Sequence, residues 1–449
     1  MKLSDNICAM ATPSGGAIGI IRISGPDSIT IVGRLFSRNI SEAKSHTLHY
    51  GVFASDSSMP IDDVMVAVFR APHSYTGDNS VEIYCHGSRY IMSQIIRCLI
   101  EAGCRQADPG EYTRRAFING KMDLSQAEAV ADLIAATGKA SHDMALGQLR
   151  GNISSELSRL RDQLLKMTSL MELELDFSDH EELEFADRTE LTLLAHTIHD
   201  RISSLASSFR TGQAIKQGIP VALIGKTNVG KSTLLNRLVG EEKAIVSDIH
   251  GTTRDIIEDT IDIHGVTFRF VDTAGLRTTD DVIEQIGIER SYSALSKAAI
   301  VLWVIDTPPS EEELSDITSR CKGKQVIAVI NKTDKLPAIP LSIPFSTLSM
   351  SALNGTGINE LTDAIYAKSG IPEIGENDAI ITSARHYSSL LQAQESITRV
   401  LDGLEMNIPN DLLSEDLRQC LDALADITGG VITPSEVLNN IFSHFCIGK

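Results

Sequence analysis

Up to about residue 120 the chain alternates short apolar runs with turn residues: AIGIIRIS over 17–24, VMVAVFRAP over 64–72 and SVEIYCHG over 80–87. An apolar stripe at helical spacing follows near 90–102. Runs of β-branched residues bounded by Gly, Pro and Asn predict strands, and the mixture predicts an α+β domain over 1–120. From Asp123 the period changes. Ile153, Leu157, Leu160, Leu164, Met167, Met171 and Leu175 recur at steps of three or four, as do Leu191, Leu194, Ile198, Ile202, Leu205 and Phe209, with an acidic stretch over Asp176–Asp187 between them. These stripes predict long amphipathic helices over 121–218. The strand VALIG then opens alternating strand and helix segments over 219–369, the pattern of a parallel-sheet α/β domain. Helical spacing returns over 370–449 with Tyr387, Leu391, Ile397, Leu401 and Leu404, then Leu413, Leu417, Leu421 and Leu424, and stops at Gly429-Gly430. Neither helical flank has faces enough to bury its own stripes, so the expected organisation is one helical domain built from both, with the α/β domain inserted. There are no internal repeats and no low-complexity tract.

Composition narrows the class. A chain of 449 residues has room for about three domains at roughly 150 residues each. No apolar run reaches the length of a membrane span, and the first residues lack the apolar core of a secretory signal, so the expectation is a cytoplasmic protein with no membrane association. The seven cysteines, Cys8, Cys85, Cys98, Cys104, Cys321, Cys420 and Cys446, are odd in number and include no C-x-x-C pair, against a disulfide framework or a zinc site. With 40 Lys+Arg against 59 Asp+Glu the net charge is -19, which disfavours general coating of nucleic acid. Local basic clusters at Arg114-Arg115-Lys121 and Arg210-Lys216 are candidates for contacting nucleic acid, with solvated surface charge the favoured reading of each.

The α/β segment carries the chemistry. Gly225-Lys226-Thr227-Asn228-Val229-Gly230-Lys231-Ser232 follows a strand and precedes the helical pattern TLLNRLVG, matching G-x-x-x-x-G-K-[ST] in its strand–loop–helix setting. Its glycines let backbone N–H groups close round phosphates at a helix N-terminus, Lys231 meets the β- and γ-phosphates, and the Ser232 hydroxyl binds Mg2+. Asp272-Thr273-Ala274-Gly275 ends a second strand, where the Asp supports magnesium and the Gly amide senses the γ-phosphate. Asn331-Lys332-Thr333-Asp334 ends a third, and Ser351-Ala352-Leu353 follows about twenty residues later. Such loops at the carboxyl ends of strands are where an open α/β sheet binds ligands. Asp334 selects guanine, because a carboxylate accepts two hydrogen bonds from the ring N–H and exocyclic amine, which adenine cannot supply; a buried, unpaired carboxylate would then reject the wrong base.

These loops resemble the translation-factor-related GTPases across the 220–369 segment, with one departure: Leu276 follows the DTAG string where Ras-like proteins carry the Gln that orients attacking water. Further strings narrow the resemblance. AIVSDIH runs into GTTRD over 251–255, DTAGLR is followed by IGIER over 286–290, SGGAIGIIRISG stands near the start, PGEYTRRAFINGKMDLSQAEA spans 109–129, and the chain closes on Phe445-Cys446-Ile447-Gly448-Lys449. Together they resemble the MnmE (TrmE) family of tRNA-modifying GTPases from residue 7 to residue 449.

The resemblance implies a multidomain fold: an N-terminal α+β folate-binding-like domain that dimerises, a helical domain, and an inserted Ras-like P-loop GTPase domain. It implies a homodimer that forms a heterotetramer with the flavoprotein MnmG and adds an aminomethyl or carboxymethylaminomethyl group to C5 of the wobble uridine of certain tRNAs. The carbon would come from a tetrahydrofolate derivative, 5-formyl- or 5,10-methylene-tetrahydrofolate, and the tRNA would be held largely by the partner. Arg22, Glu82, Lys121 and Lys449 match the family's folate contacts; a carboxylate suits pterin N–H groups and cations suit a glutamate tail. Taken singly, each reads as well as an ion pair. Cys446 matches a Cys of the terminal motif and is a catalytic candidate, with a structural thiol as the other reading. Nucleotide contacts extend by the same resemblance to Thr233 and to Ser247, Asp248, Ile249, His250, Gly251, Thr252 and Thr253. Asn228, Ser247, Ile249 and Thr252 match ligands of a K+ ion, and Thr253 joins Ser232 on magnesium. A cation there would offset charge developing between the β- and γ-phosphates, as an arginine finger does elsewhere. Glu284 matches an acidic residue that positions the attacking water through a bridging water, which answers the problem set by Leu276. Two other readings stay open: a regulatory GTPase that binds RNA without covalent chemistry, and a folate-dependent transferase with a GTPase regulator attached.

Overall fold

The computed structural model describes residues 4–55, 59–176, 188–242, 258–272, 295–335, 343–372, 375, 378–430, 438, 441–443, 445 and 448. The chain divides into two compact units, the first Met1–Ile134, Ala145–Ser203 and Ser388–Lys449, the second Ala135–Met144 and Ser204–Tyr387.

In the first unit, β1 (Asn6–Met10), β2 (Ile18–Ser24), β3 (Thr47–Ala54), β4 (Pro60–Phe69), β5 (Ser80–His86) and β6 (Cys104–Gln106) form a sheet in the order β3-β4-β5-β2-β1-β6 among the described residues. All neighbours are antiparallel except β1 and β6. Alternation sorts the side chains. Ile21, Ile23, Val64, Val66, Val68, Val81 and Ile83 are buried in one core with Ile29, Ile31 and Val32 of α1 (Ser28–Leu35) and Met92, Ile95 and Leu99 of α2 (Arg89–Glu101). Side chains at the intervening positions stand on the opposite face, so register alone sets Arg22 of β2 against Glu82 of β5, and Tyr50 of β3 against Met65 of β4. Leu48, Tyr50 and Met65 are exposed there.

The helix α3 (Glu111–Ile118) holds Arg115, whose side chain is 0% exposed. This corrects the basic surface cluster: Arg115 faces carboxylates of its own unit, while Lys121 is exposed. Two helices, α4 (Leu124–Ala135) and α5 (Lys139–Leu149), lead into the long helical stripes, most of whose positions are buried as the periodicity requires. Leu157, Leu160, Leu164 and Met167 of α6 (Asn152–Asp176) are buried, and so are Leu191, Ile198 and Ile202 of α7 (Arg188–Gln217). Beyond the α/β segment, α11 (Ala384–Glu405) buries Ile397 and Leu404, but it buries Leu390 in place of the expected Leu391, which is exposed; α12 (Asn410–Thr428) buries Leu413, Leu417 and Leu424 and packs on α6. Gly429, at φ 77, ends α12.

In the second unit β7 (Ile219–Ile224), β8 (Glu258–Ile263), β9 (Val266–Asp272), β10 (Ile300–Ile305), β11 (Gln325–Ile330) and β12 (Ser346–Ser349) give the order β12-β11-β10-β7-β9-β8 among the described residues. Five run parallel, but β8 is antiparallel to β9, a departure from the all-parallel expectation. The cause is local: only His264 and Gly265, both at positive φ, separate the two strands, a two-residue turn that can close only a hairpin. All six side chains of β10 are buried, because one face meets α8 (Lys231–Glu242) and α10 (Ile358–Ser369) while the other lies against α9 (Glu311–Arg320).

Candidate functional site

Three nucleotide loops leave the same carboxyl edge of the second sheet and are stitched together by one side chain. Asn331, 2% exposed, donates from Nδ2 to the Val229 carbonyl at 2.8 Å and accepts at Oδ1 from the Ala352 N–H at 2.9 Å. It thereby ties the loop after β11 to the phosphate loop after β7 and to the loop after β12. The approach is so close that a Cβ on Gly230 would lie 2.2 Å from Asn331 Nδ2, and Gly230 has φ +102, so no other residue fits.

In the phosphate loop Asn228 takes φ 64, a conformation rare for a residue with a side chain. Lys231 is nearly buried, and its Nζ donates to the carbonyls of Gly225 at 2.7 Å and Lys226 at 2.6 Å. The ammonium therefore folds back over the loop that precedes the N-terminus of α8. N–H groups of a helix start and a buried cation make an anion site. Ser232 and Thr233 are exposed in the first turn of α8, where a hydroxyl suits a hard divalent cation. Asp272 ends β9 opposite Leu223 of β7, beside the phosphate loop.

The base-reading side is equally ordered. Ser351 Oγ donates to Asp334 Oδ1 at 2.6 Å. That hydrogen bond, with the nearby Lys335 and Lys332 charges, outweighs desolvation and holds the Asp334 carboxyl below the usual carboxylate range. Asp334 is thus an ionised acceptor. It is exposed rather than buried as the sequence reading required. Ser351 and Ala352 are buried and Leu353 is exposed. Thr273, Ala274, Gly275, Ser247, Asp248, Ile249, His250, Gly251, Thr252, Thr253 and Glu284 lie outside the described residues, as do Cys446 and Lys449.

A second cluster gathers on the sheet of the first unit. Arg22 Nε donates to Glu82 Oε1 at 2.9 Å, and Arg22 Nη1 donates to the Gly448 carbonyl at 3.2 Å. The guanidinium carbon lies 5.9 Å from the ring centre of Tyr75 and 5.7 Å from that of Tyr112, cation–π distances. Tyr84 donates its hydroxyl to Glu82 Oε2 at 2.8 Å. Lys121 Nζ donates to the Pro72 carbonyl at 3.0 Å, on the same loop as Tyr75. Arg22 and Glu82 are 22% and 17% exposed, open to a ligand. The three tyrosines were missed by sequence reasoning. Tyr84 was legible from strand alternation, which puts it on the face of Glu82; Tyr75 and Tyr112 arrive from distant segments.

A family model described as the GTP-binding protein TrmE N-terminus matches residues 6–121, and one described as the MnmE helical domain matches residues 124–446. A tRNA modification GTPase MnmE of Phocaeicola vulgatus is 51% identical over 494 residues, covering 99% of each chain. One from Parabacteroides distasonis is 54% identical over 459 residues, again covering 99% of each. Among solved structures, a point variant of Aquifex aeolicus Era bound to GDP.AlF4- is 29% identical with a TM-score of 0.27, over 39% of this chain and 65% of that one. Matched along nearly its whole length by relatives that share half its residues, the chain belongs to the MnmE family of tRNA modification GTPases.

Proposed function

We propose that this GTPase, acting with the flavoprotein MnmG, installs an aminomethyl or carboxymethylaminomethyl group at C5 of the wobble uridine, with a tetrahydrofolate derivative as carbon donor. The observation that carries the reading is the Arg22–Glu82 cluster: a half-open ion pair among three tyrosines, in a chain that also holds a guanine-nucleotide site. The residues suit the group. Tyr112 is buried behind Arg22, but the exposed Tyr75 offers a face to a flat bicyclic ring, Glu82 keeps acceptor lone pairs beyond those used by Arg22 and Tyr84, and Lys121 with Lys449 would meet glutamate carboxylates. The bound folate supplies the one-carbon unit; the protein binds and orients it. Residues 1–120 would form the folate and dimerisation domain, 121–218 with 370–449 the helical domain, and 219–369 the GTPase domain. The exposed Leu48, Tyr50 and Met65 on the open sheet face favour a homodimer. Among the described residues no helix is long and apolar enough to cross a membrane, compatible with action in the cytoplasm. Mass spectrometry of wobble nucleosides from a strain lacking the gene should reveal loss of the modified uridine. Unchanged nucleosides would leave the regulatory-GTPase reading in its place.

The folate step has its own test. Arg22→Ala should weaken binding of 5-formyl-tetrahydrofolate by about tenfold or more, the scale of a charge-assisted contact, and leave GTP affinity within about twofold because the sites lie in separate units. Calorimetry with unchanged folate affinity would strike Arg22 from the site.

On the nucleotide side, Ser232 with Thr253 would hold Mg2+, and Asn228 with Ser247, Ile249 and Thr252 would hold K+, whose charge would stabilise the transition state. Because Leu276 cannot orient water, Glu284 would do so. Turnover should therefore be much faster in K+ than in Na+. Asn228→Ala should lose most of that stimulation while still binding GTP, and Glu284→Ala should lose turnover alone. Indistinguishable kcat values in matched K+ and Na+ buffers would remove the potassium assignment, leaving Arg254 or Arg277 as candidates for charge stabilisation.

A further inference from the structure

We propose that Asp306, which belongs to none of the nucleotide signature strings, is a positioning residue that fixes the guanine-reading loop by clamping Lys332. The strands β10 and β11 are parallel neighbours in the register Ile305↔Ile330, so Asp306 and the Asn331–Asp334 loop leave the sheet side by side. Lys332 Nζ meets Asp306 Oδ2 at 2.8 Å, and the two side chains are 34% and 23% exposed. Lys332 takes φ 66, a left-handed conformation that a residue with a Cβ keeps only when its surroundings hold it.

The loop is therefore pinned at both ends. Asp334 is held from the β12 side by Ser351, and Lys332 from the β10 side by Asp306. Between these points lies the edge at which a guanine must meet Asp334. An unpinned lysine would lose rotamer freedom when its four-carbon stem is covered by a base; one already clamped has lost it before binding. The clamp thus acts on the base-binding step and leaves the phosphates alone.

A neighbouring pair shows why Asp306 and not another acid is chosen. Lys226 Nζ meets Glu313 Oε1 at 2.6 Å and links the phosphate loop to the capping box at the start of α9, but Lys226 is 63% exposed. Water screens so open a pair, and such pairs contribute little. The Asp306–Lys332 pair is more enclosed and acts directly on the base-reading loop.

The test compares full-length wild type with Asp306→Asn, Asp306→Glu and Glu313→Gln. In Asp306→Asn the Kd should rise about tenfold for GDP and by the same factor for GTP, since both carry the same base. Inhibition by inorganic tripolyphosphate and kcat at saturating GTP should stay within about twofold, because neither depends on the base contact. Asp306→Glu should recover most of the affinity, and Glu313→Gln should change it little. Unchanged GDP affinity in Asp306→Asn would overturn the proposal. So would a parallel loss of tripolyphosphate inhibition, which would place the effect on the phosphate loop or on folding, or a fall in kcat at intact affinity, which would place it on hydrolysis.

Discussion

Asp334→Asn should convert a guanine reader into a xanthine reader. The wild-type carboxylate offers two acceptors to the N1–H and 2-amine of guanine, and the Ser351 hydroxyl keeps it ionised and in place. The amide substitutes a donor for one acceptor. A donor then faces the guanine 2-amine, and the same donor suits the 2-oxo group of xanthine. Enclosed sites built for hydrogen bonding reject the mismatched ligand by roughly 10⁴ or more; Asp334 is exposed until a base covers it, so a loss on the order of 10³ in kcat/KM for GTP is expected. Xanthosine triphosphate should become the preferred substrate. Competition assays with GTP, ATP and xanthosine triphosphate decide the matter, and a variant that still prefers GTP would show that Asp334 does not read the base.

What the sequence discloses here is whatever repeats locally. Strand alternation places Arg22 and Glu82 on the polar faces of their strands, since period two leaves little freedom, and the pairing of β2 with β5 then sets them opposite each other. The helical stripes of α6, α7, α11 and α12 are largely buried where their spacing predicts, with Leu391 of α11 the exposed exception. The phosphate loop was legible because its chemistry demands glycines and a lysine at fixed offsets within one turn. Chemistry assembled from distant segments was not legible. Asp306 looks like one acid in a loop until parallel pairing of β10 and β11 brings it to Lys332. Tyr75 and Tyr112 flank Arg22 only after the chain has crossed the sheet and returned. Arg115 was misjudged for the same reason: in the string TRRAF it reads as surface charge, and only the tertiary fold supplies the carboxylates that allow its burial.

That burial makes Arg115 a sensitive position in the first unit. Its Nη2 donates to Asp5 Oδ1 at 2.6 Å and to Glu111 Oε1 at 3.0 Å, and its Nη1 donates to the Asp5 carbonyl at 2.9 Å. Arg105 shares the same acids, reaching Glu111 Oε1 at 2.7 Å and Asp5 Oδ2 at 2.8 Å. Arg115→Met keeps the volume but leaves Glu111, 1% exposed, with a single cation, and leaves the Asp5 carbonyl without its donor. Breaking one side of a buried ion network costs about 3–5 kcal/mol, because a charge remains buried without full compensation. The thermal midpoint should therefore fall by about 10 °C. Arg115→Lys should restore only part, since one ammonium cannot reproduce the planar fork. The acid limb gives an independent check. Burial pushes both carboxyls up, but hydrogen bonds and charge from Arg105 and Arg115, joined on Glu111 by the Asp108 N–H, together outweigh it and hold Asp5 and Glu111 below their ordinary values of 3.8 and 4.5. Groups shifted in that direction stabilise the fold fully above their unfolded values and lose the contribution as pH falls through the lower folded ones. Wild type should thus lose stability steeply below about pH 4.5, whereas Arg115→Met should start lower and fall less. GTP turnover, housed in the other unit, should persist in the variant at temperatures where it is folded. A midpoint shift under about 2 °C, with an unchanged acid limb, would mean that Arg105 alone satisfies both carboxylates.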